Sequence, residues 1–118
     1  MSCAFLDEDL ASAVRVVLVP VAGPPVMVRV AGGSDVRVMR SLRALVGAKC
    51  VERFRVTDRW EFWLDEDGRS AGKPVNLAAT RVGRGFGVQF DFLGSVVITG
   101  VDDDAEGWAD LSGVIFSR

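Results

Sequence analysis

Apolar and polar side chains alternate along residues 53–56 and 60–62 on the two sides of one polar break, and this pattern constrains the fold more than any other in the chain. Alternation with a period of two is typical of strands with one buried face. A short polar break between two such runs is typical of a hairpin. The sequence therefore predicts two paired strands, 49–56 and 60–64, joined by a turn at 57–59.

The register of this hairpin follows from the polarity of its side chains. If the apolar residues share one face, that face carries Phe54, Val56, Trp60, Phe62 and Leu64. The opposite face then pairs Arg55 with Glu61. It also places Arg53 opposite the indole of Trp63, and both pairs are favourable cross-strand neighbours. A shift of one residue would bury the charged side chains instead, so the pattern predicts a single register.

The rest of the chain predicts further strands and two short helices. The further strands are expected at 14–19, 26–30, 88–92 and 96–98. One helix is expected over about 38–46, ended by Gly47 in the left-handed conformation, and the other over about 74–81. Together these elements predict one α+β domain over residues 1–118, with a mostly antiparallel sheet. Residues 1–12 are expected to form a loose N-terminal segment.

The 118-residue chain contains no histidine, which limits the chemistry it can perform. Histidine is the usual proton carrier near neutral pH and the commonest metal ligand, so most hydrolase triads and zinc sites cannot be assembled. Cys50 and the hydroxyl side chains lack a histidine base to activate them. We therefore predict a non-enzymatic protein with no catalytic residue and no cofactor.

Positive charge is concentrated in the middle of the chain. Residues 29–59 contain eight arginines and lysines against three carboxylates, so this segment carries a net charge of +5. The whole chain has a net charge of −2, and the remaining residues therefore carry −7. This separation would allow one positive and one negative face. The favoured interpretation is ordinary solvated surfaces whose opposite charges partly neutralise each other.

Arginine and tryptophan supply the candidate binding surface, because both residue types are enriched at the energetic centres of protein interfaces. The candidates combine the polar face of the hairpin with the first predicted helix: Arg40, Arg43, Arg53, Arg55 and Trp63. Trp63 also suits stacking on a nucleic-acid base. The alternative interpretation is that these side chains are covered or have no binding role.

Arg81 and Arg84 are the candidate phosphate contacts of an alternative function, and they lie beside the glycine-rich run 83–87. In phosphate-binding loops the glycines lead from a strand into a helix, whose N-terminus supplies the donors. Here the glycines follow a predicted helix. A flexible helix exit is therefore the favoured interpretation of the run.

Two acidic segments resemble sets of metal ligands. In residues 65–68 at most Asp65 and Asp67 share a face, and a hydrogen-bonded turn that ends in a left-handed Gly68 is the favoured interpretation. Residues 102–106 match the start of a calcium-binding loop. The closing position of that loop is Gly113 rather than a bidentate glutamate. We therefore predict no bound metal.

An ordered set of short motifs in the middle of the chain resembles a known family. The motifs are residues 39–47 (Met-Arg-Ser-Leu-Arg-Ala-Leu-Val-Gly), 63–68 (Trp-Leu-Asp-Glu-Asp-Gly), 74–76 (Pro-Val-Asn), 94–100 (Gly-Ser-Val-Val-Ile-Thr-Gly) and the acidic residues 102–104. Over about residues 26–104 the chain is similar to a domain-of-unknown-function family found as small stand-alone proteins in actinobacteria, other bacteria and their phages. The resemblance implies a phage or mobile-element accessory setting and no established activity. Leu77 occupies a position at which the resemblance leads us to expect an arginine.

These observations favour a small phage-type accessory protein that binds and inhibits or sequesters a host component, in host takeover or anti-defence. The expected partner is a host protein, and the alternative is a nucleotide signal or nucleic acid held by arginine–phosphate contacts. The longest apolar run, 16–22, is too short to span a membrane. We expect a cytoplasmic location in the bacterial host and no membrane partner. Exposed strand edges or the apolar run 114–116 would allow homo-oligomers.

Overall fold

The structure, a computed structural model, describes residues 13–100, which form a five-stranded antiparallel sheet with one helix on each face. The strands are β1 (Val14–Val19), β2 (Val26–Val30), β3 (Val51–Arg55), β4 (Trp60–Asp65) and β5 (Val96–Gly100), and the helices are α1 (Asp35–Val46) and α2 (Leu77–Gly85). The strand order is β2-β1-β5-β4-β3, and every neighbouring pair is antiparallel. The predicted α+β class is confirmed. The predicted segment 1–12 and the run 114–116 lie outside the described residues.

The central strand β5 is buried on both faces, which explains its unbroken apolar sequence. Val96 and Ile98 belong to the hydrophobic cluster beneath α2, whereas Val97 belongs to the cluster beneath α1. The two helices therefore cover opposite faces of one sheet. None of the described helices has the length and apolar character needed to cross a membrane.

Helix α1 begins and ends where local hydrogen bonding dictates. The Ser34 hydroxyl accepts a hydrogen bond from the backbone N–H of Arg37 at 3.2 Å, so the helix begins earlier than the predicted residue 38. At the other end Gly47 adopts a φ of 76°, and its N–H donates to the Arg43 carbonyl at 2.8 Å. The predicted left-handed cap at Gly47 is confirmed.

Helix α2 begins after Asn76, and the predicted span 74–81 is wrong at both ends. The buried Asn76 side chain accepts a hydrogen bond from Ala79 N–H at 3.0 Å. Its Nδ2 donates to the carbonyls of Val19 at 2.8 Å and Gly94 at 2.9 Å. The asparagine of the Pro-Val-Asn motif thus ties the start of α2 to the end of β1 and to the entry of β5.

Gly83 lets α2 continue past its predicted end and pack tightly. It is buried inside the helix, and a Cβ built on it would lie 2.7 Å from a ring carbon of Phe92. Phe92 is itself fully buried, so the close approach needs a residue without a side chain. This first glycine of the run 83–87 is therefore a packing residue rather than part of a flexible helix exit.

The predicted strand 88–92 is wrong. Its backbone forms hydrogen bonds with Thr80 in α2 and with Asn76, the residue before α2. Phe92 donates from its N–H to the Thr80 hydroxyl at 3.0 Å, and its carbonyl accepts from Asn76 N–H at 2.7 Å. The neighbouring residue Leu93 forms a single isolated antiparallel bridge with Val75. The alternation of apolar and polar residues that predicted a strand reflects the burial of Val88 and Phe92.

Candidate functional site

The β3–β4 hairpin has the register predicted from polarity. Phe54 lies opposite Phe62, Arg55 opposite Glu61 and Arg53 opposite Trp63. The turn is held by the Thr57 hydroxyl, which accepts hydrogen bonds from the N–H groups of residues 59 and 60 at 3.0 and 3.1 Å. The apolar face of the hairpin packs into the cluster beneath α2, as predicted.

The polar face of the hairpin gathers two arginines around one carboxylate. Arg55 Nη2 donates a hydrogen bond to Glu61 Oε2 at 3.4 Å, and Arg53 Nε lies 3.7 Å from the same oxygen. The Glu61 side chain is only 9% exposed, whereas those of Arg53 and Arg55 are 61% and 55% exposed. Two solvent-facing guanidinium groups thus share one sequestered negative charge, and the cluster keeps a surplus positive charge.

Trp63 forms the side of this cluster nearest to the body of the domain. Its indole N–H donates to the Thr99 hydroxyl on β5 at 2.8 Å, which fixes the ring on the sheet. The Arg53 guanidinium carbon lies 6.0 Å from the ring centroid, at the limit of a cation–π contact. Trp63 also packs against the cluster beneath α1. Arg53, Arg55, Glu61 and Trp63 are called the arginine surface below.

The arginine surface lies on an edge strand, because β3 has β4 as its sole neighbour in the described sheet. Val56 N–H donates to Trp60 O at 3.0 Å, and beyond the other end of the ladder Glu66 N–H donates to Cys50 O at 3.1 Å. Hydrogen-bonded and non-hydrogen-bonded pairs alternate in an antiparallel ladder. Arg53 and Arg55 therefore occupy non-hydrogen-bonded positions, and their backbone N–H and C=O groups point to the open edge.

The other predicted contacts, Arg40 and Arg43, lie on α1. This helix covers the same face of the sheet that carries Trp63. Arg40 is exposed and Arg43 is half-buried. Within residues 13–100 no ion pair joins either of them to the arginine surface. The structure thus gathers Arg53 and Arg55 around Glu61, pairs Arg53 with Trp63 across the strands, and puts the α1 arginines on the same side of the domain.

Arg81 and Arg84 lie on α2, on the opposite face of the sheet. Arg84 Nη2 forms an ion pair with Asp91 Oδ1 at 3.0 Å, and both side chains are about half exposed. The sheet separates Arg81 and Arg84 from the arginine surface. One small ligand therefore cannot contact both sets of arginines at once.

The acidic turn 65–68 is occupied by hydrogen bonds and a lysine. Asp65 Oδ1 accepts from Asp67 N–H at 2.8 Å, and Asp65 Oδ2 lies 2.8 Å from Lys73 Nζ. Lys73 also donates to the carbonyl of Gly47 at 3.1 Å. The hydrogen bond from Lys73 lowers the pKa of Asp65. Gly68 is buried and its backbone is not left-handed, so the predicted conformation at the end of the turn is wrong.

No group of three or more histidine, cysteine, aspartate or glutamate side chains comes together within residues 13–100. The acidic segment 102–106 lies outside these residues. Cys50 is exposed next to β3, and Leu77 is 66% exposed at the first position of α2.

Sequence reasoning missed three features of the arginine surface: the burial of Glu61, the hydrogen bond from Trp63 to Thr99 and the position of β3 at the edge of the sheet. All three depend on which strands flank the hairpin.

The fold and the site define a small α+β domain that presents arginines on an edge strand of its sheet. Residues 14–116 match the family model described as a domain of unknown function, DUF3846. The chain therefore belongs to this family. No curated protein and no solved structure matches the chain.

Proposed function

We propose that this DUF3846 protein is a small, non-enzymatic accessory protein of phage type that binds a component of the bacterial host. It acts in the host cytoplasm, in host takeover or anti-defence, and it inhibits or sequesters its partner. The partner is a host protein with an acidic contact region. The arginine surface is the proposed contact, and Arg40 and Arg43 extend it along α1.

The observation that carries this proposal is the shared carboxylate. Because Glu61 takes a single hydrogen bond from Arg55 and a looser ion pair from Arg53, most guanidinium N–H donors of both residues face solvent. Guanidinium groups that are already oriented lose less entropy when they bind a carboxylate. A partner carboxylate would therefore meet donors that are held in place and carry an unneutralised charge.

The chemistry of the chain supports binding rather than turnover. It has no histidine, which is the usual general base for a cysteine or serine nucleophile. The arginines, in contrast, require no proton transfer to act. Surface complementarity is sufficient for a protein that blocks or sequesters another.

The test is quantitative capture of proteins from an actinobacterial lysate on immobilised wild-type protein and on an Arg53→Glu/Arg55→Glu variant. We expect recovery of one protein to fall at least about tenfold on the variant. The matched control is Arg29→Glu/Arg69→Glu, which changes the net charge equally at two other exposed arginines. Equal recovery on all three proteins would overturn the proposal. The captured protein's activity, assayed with and without wild-type protein, tests inhibition.

Arginine–phosphate binding is the competing outcome. If the ligand is a nucleotide or nucleic acid, its affinity falls steeply with salt, because phosphate contacts release counterions. In that case Arg81→Gln/Arg84→Gln and Arg53→Gln/Arg55→Gln are compared separately, since the two sets lie on opposite faces. Retention of a host protein at high salt favours the protein partner.

A further inference from the structure

We infer that the partner segment is an extended acidic strand that joins the open edge of β3 and extends the sheet in the antiparallel sense. This inference rests on the proposed function and specifies what the arginine surface recognises. The segment alternates an acidic, an apolar and an acidic residue. Its two carboxylates meet Arg53 and Arg55, and its apolar side chain meets Phe54.

Strand addition first requires backbone N–H and C=O groups that point to an open sheet edge, and β3 supplies them. The N–H and C=O groups of Arg53 and Arg55 point away from β4, towards the edge that no described strand covers. An added strand would hydrogen-bond to these groups, which is the usual mode of recognition at a sheet edge. The two residues that offer the backbone groups are also the two that offer the charges.

The side chains of β3 supply the second requirement, an alternating chemistry. Arg53 and Arg55 project to the face that carries Trp63, and Phe54 projects to the opposite face. Residues directly opposite one another in an antiparallel ladder have side chains on the same face. A segment with a carboxylate opposite each arginine therefore places the side chain between them on the face that carries Phe54.

Phe54 and Phe90 indicate that this middle residue is apolar. Their ring centroids lie 5.1 Å apart in an edge-to-face contact, and Phe90 is 45% exposed. Phe90 in turn lies 5.2 Å from the buried Phe92, so an aromatic cluster runs from the core to the surface. An apolar side chain beside Phe54 would cover the solvent-exposed end of this aromatic cluster.

The other edge of the sheet lacks this combination. β2 carries Val26 and Met27, which are 46% and 43% exposed, and its single arginine is Arg29. It has no counterpart of the arginine pair at alternate positions. Charge complementarity thus selects β3 for an acidic strand.

A fluorescently labelled synthetic peptide that alternates glutamate and valine tests the inference by fluorescence polarisation. We expect it to bind wild-type protein and to bind at least about tenfold more weakly to Arg53→Gln/Arg55→Gln. The control variant Arg29→Gln/Arg69→Gln should bind within about twofold of wild type. A peptide that alternates lysine and valine should not bind. Circular dichroism checks that each variant is folded.

Backbone methylation distinguishes strand addition from simple charge attraction. A glutamate opposite Arg53 or Arg55 points its N–H at β3, so N-methylation of the glutamate amides should abolish binding. N-methylation of the valine amides, which point away, should leave binding within a few fold. Equal binding of both methylated peptides overturns strand addition, even if binding still requires the arginines.

The outcomes separate this inference from the proposed function. If no peptide binds but host-protein capture still depends on Arg53 and Arg55, strand addition is wrong and the proposed function stands. If neither peptide nor host protein depends on these arginines, both are wrong. Displacement of the peptide by a single-stranded oligonucleotide that binds more tightly through the same arginines would overturn the inference in favour of a phosphate ligand.

Discussion

The two faces of the β3–β4 hairpin are built from the same ladder of five residue pairs, but one face is buried and the other presents charged side chains to solvent. On one face Phe62 is fully buried, and Phe54 packs with it against Phe92 beneath α2. On the other face Arg53 and Arg55 are more than half exposed around Glu61. Alternation along residues 53–56 and 60–62 therefore lets one hairpin anchor the core with one face and present a charged surface with the other.

This division has a physical consequence for mutation. Burial of apolar area dominates the free energy of folding, whereas exposed ion pairs contribute little to it. Changes in the apolar cluster beneath α2 should therefore destabilise the fold, whereas changes of the exposed Arg53 and Arg55 should mainly affect binding. An unfolding assay that includes both classes of variant tests this division.

Asn76→Ala should have the largest effect, a loss on the order of 3 kcal/mol in the free energy of unfolding. The variant loses a helix cap and leaves the carbonyls of Val19 and Gly94 without their buried donor. Ser34→Ala, which removes the exposed cap of α1, is the control and should cost about 1 kcal/mol. Urea unfolding measures both. A cost for Asn76→Ala no greater than that of the control would show that its amide donors do not stabilise the fold.

Gly83→Ala and Gly85→Ala should change stability in opposite directions although both glycines lie in α2. A methyl group at Gly83 meets the buried Phe92 ring at 2.7 Å, and we expect a loss of about 1–2 kcal/mol after the gain in helix propensity. Nothing lies within 4 Å of the corresponding position at Gly85. That substitution should stabilise by a few tenths of a kcal/mol up to about 1 kcal/mol. Thermal unfolding of the pair decides the point, and stabilisation by both would refute the tight packing.

The hairpin shows how much of this fold the sequence could predict. Its register was predictable because only one pairing keeps Arg53, Arg55 and Glu61 off the apolar face of the hairpin. The cap at Gly47 was predictable because a left-handed residue after a helix is usually glycine. These are local rules, and they depend on no contact beyond the neighbouring element.

The errors arose where tertiary contacts decide the structure. Gly83 was interpreted as part of a helix exit, since its reason for being glycine is Phe92, nine positions further along the chain. The alternation of 88–92 predicted a strand, but its backbone groups bond to Asn76 and Thr80. Periodicity reports burial and cannot identify the hydrogen-bond partner.

The candidate site divides in the same way. The contact of Arg53 with Trp63 and of Arg55 with Glu61 followed from register alone. The position of β3 at the edge of the sheet did not follow, because it requires the strand order. The hydrogen bond from Trp63 to Thr99 also requires β5 to lie beside β4.

Lys73→Met should have an intermediate effect that depends on pH. Lys73 joins Asp65 to the end of α1, and its side chain is 23% exposed, so we expect a loss of about 1–2 kcal/mol near neutral pH. Because the pKa of Asp65 is lowered below 3.8 in the folded state, its contribution is present above that pH and lost as the pH falls through the folded pKa. The difference in stability between wild type and variant should therefore shrink below about pH 4.

Urea unfolding across a pH series measures this difference. Lys49→Met, which removes a lysine from the exposed segment before β3, is the control and should show no such change in the same range. A difference between wild type and Lys73→Met that stays constant down to pH 2 would mean that the pairing with Asp65 contributes nothing.

Arg53→Gln/Arg55→Gln should have the smallest effect on folding, at most about 1 kcal/mol, because both side chains are exposed and glutamine can still donate to Glu61. The same substitution should remove binding of the alternating acidic peptide, so its stability and its affinity change by very different amounts. Urea unfolding and peptide titration on one preparation measure the two quantities together. A loss of stability comparable to that of Asn76→Ala would mean that the charged face of the hairpin also holds the fold together. The division between an anchoring face and a binding face would then be wrong, since the face proposed to bind a partner would also be a face that the domain needs for folding.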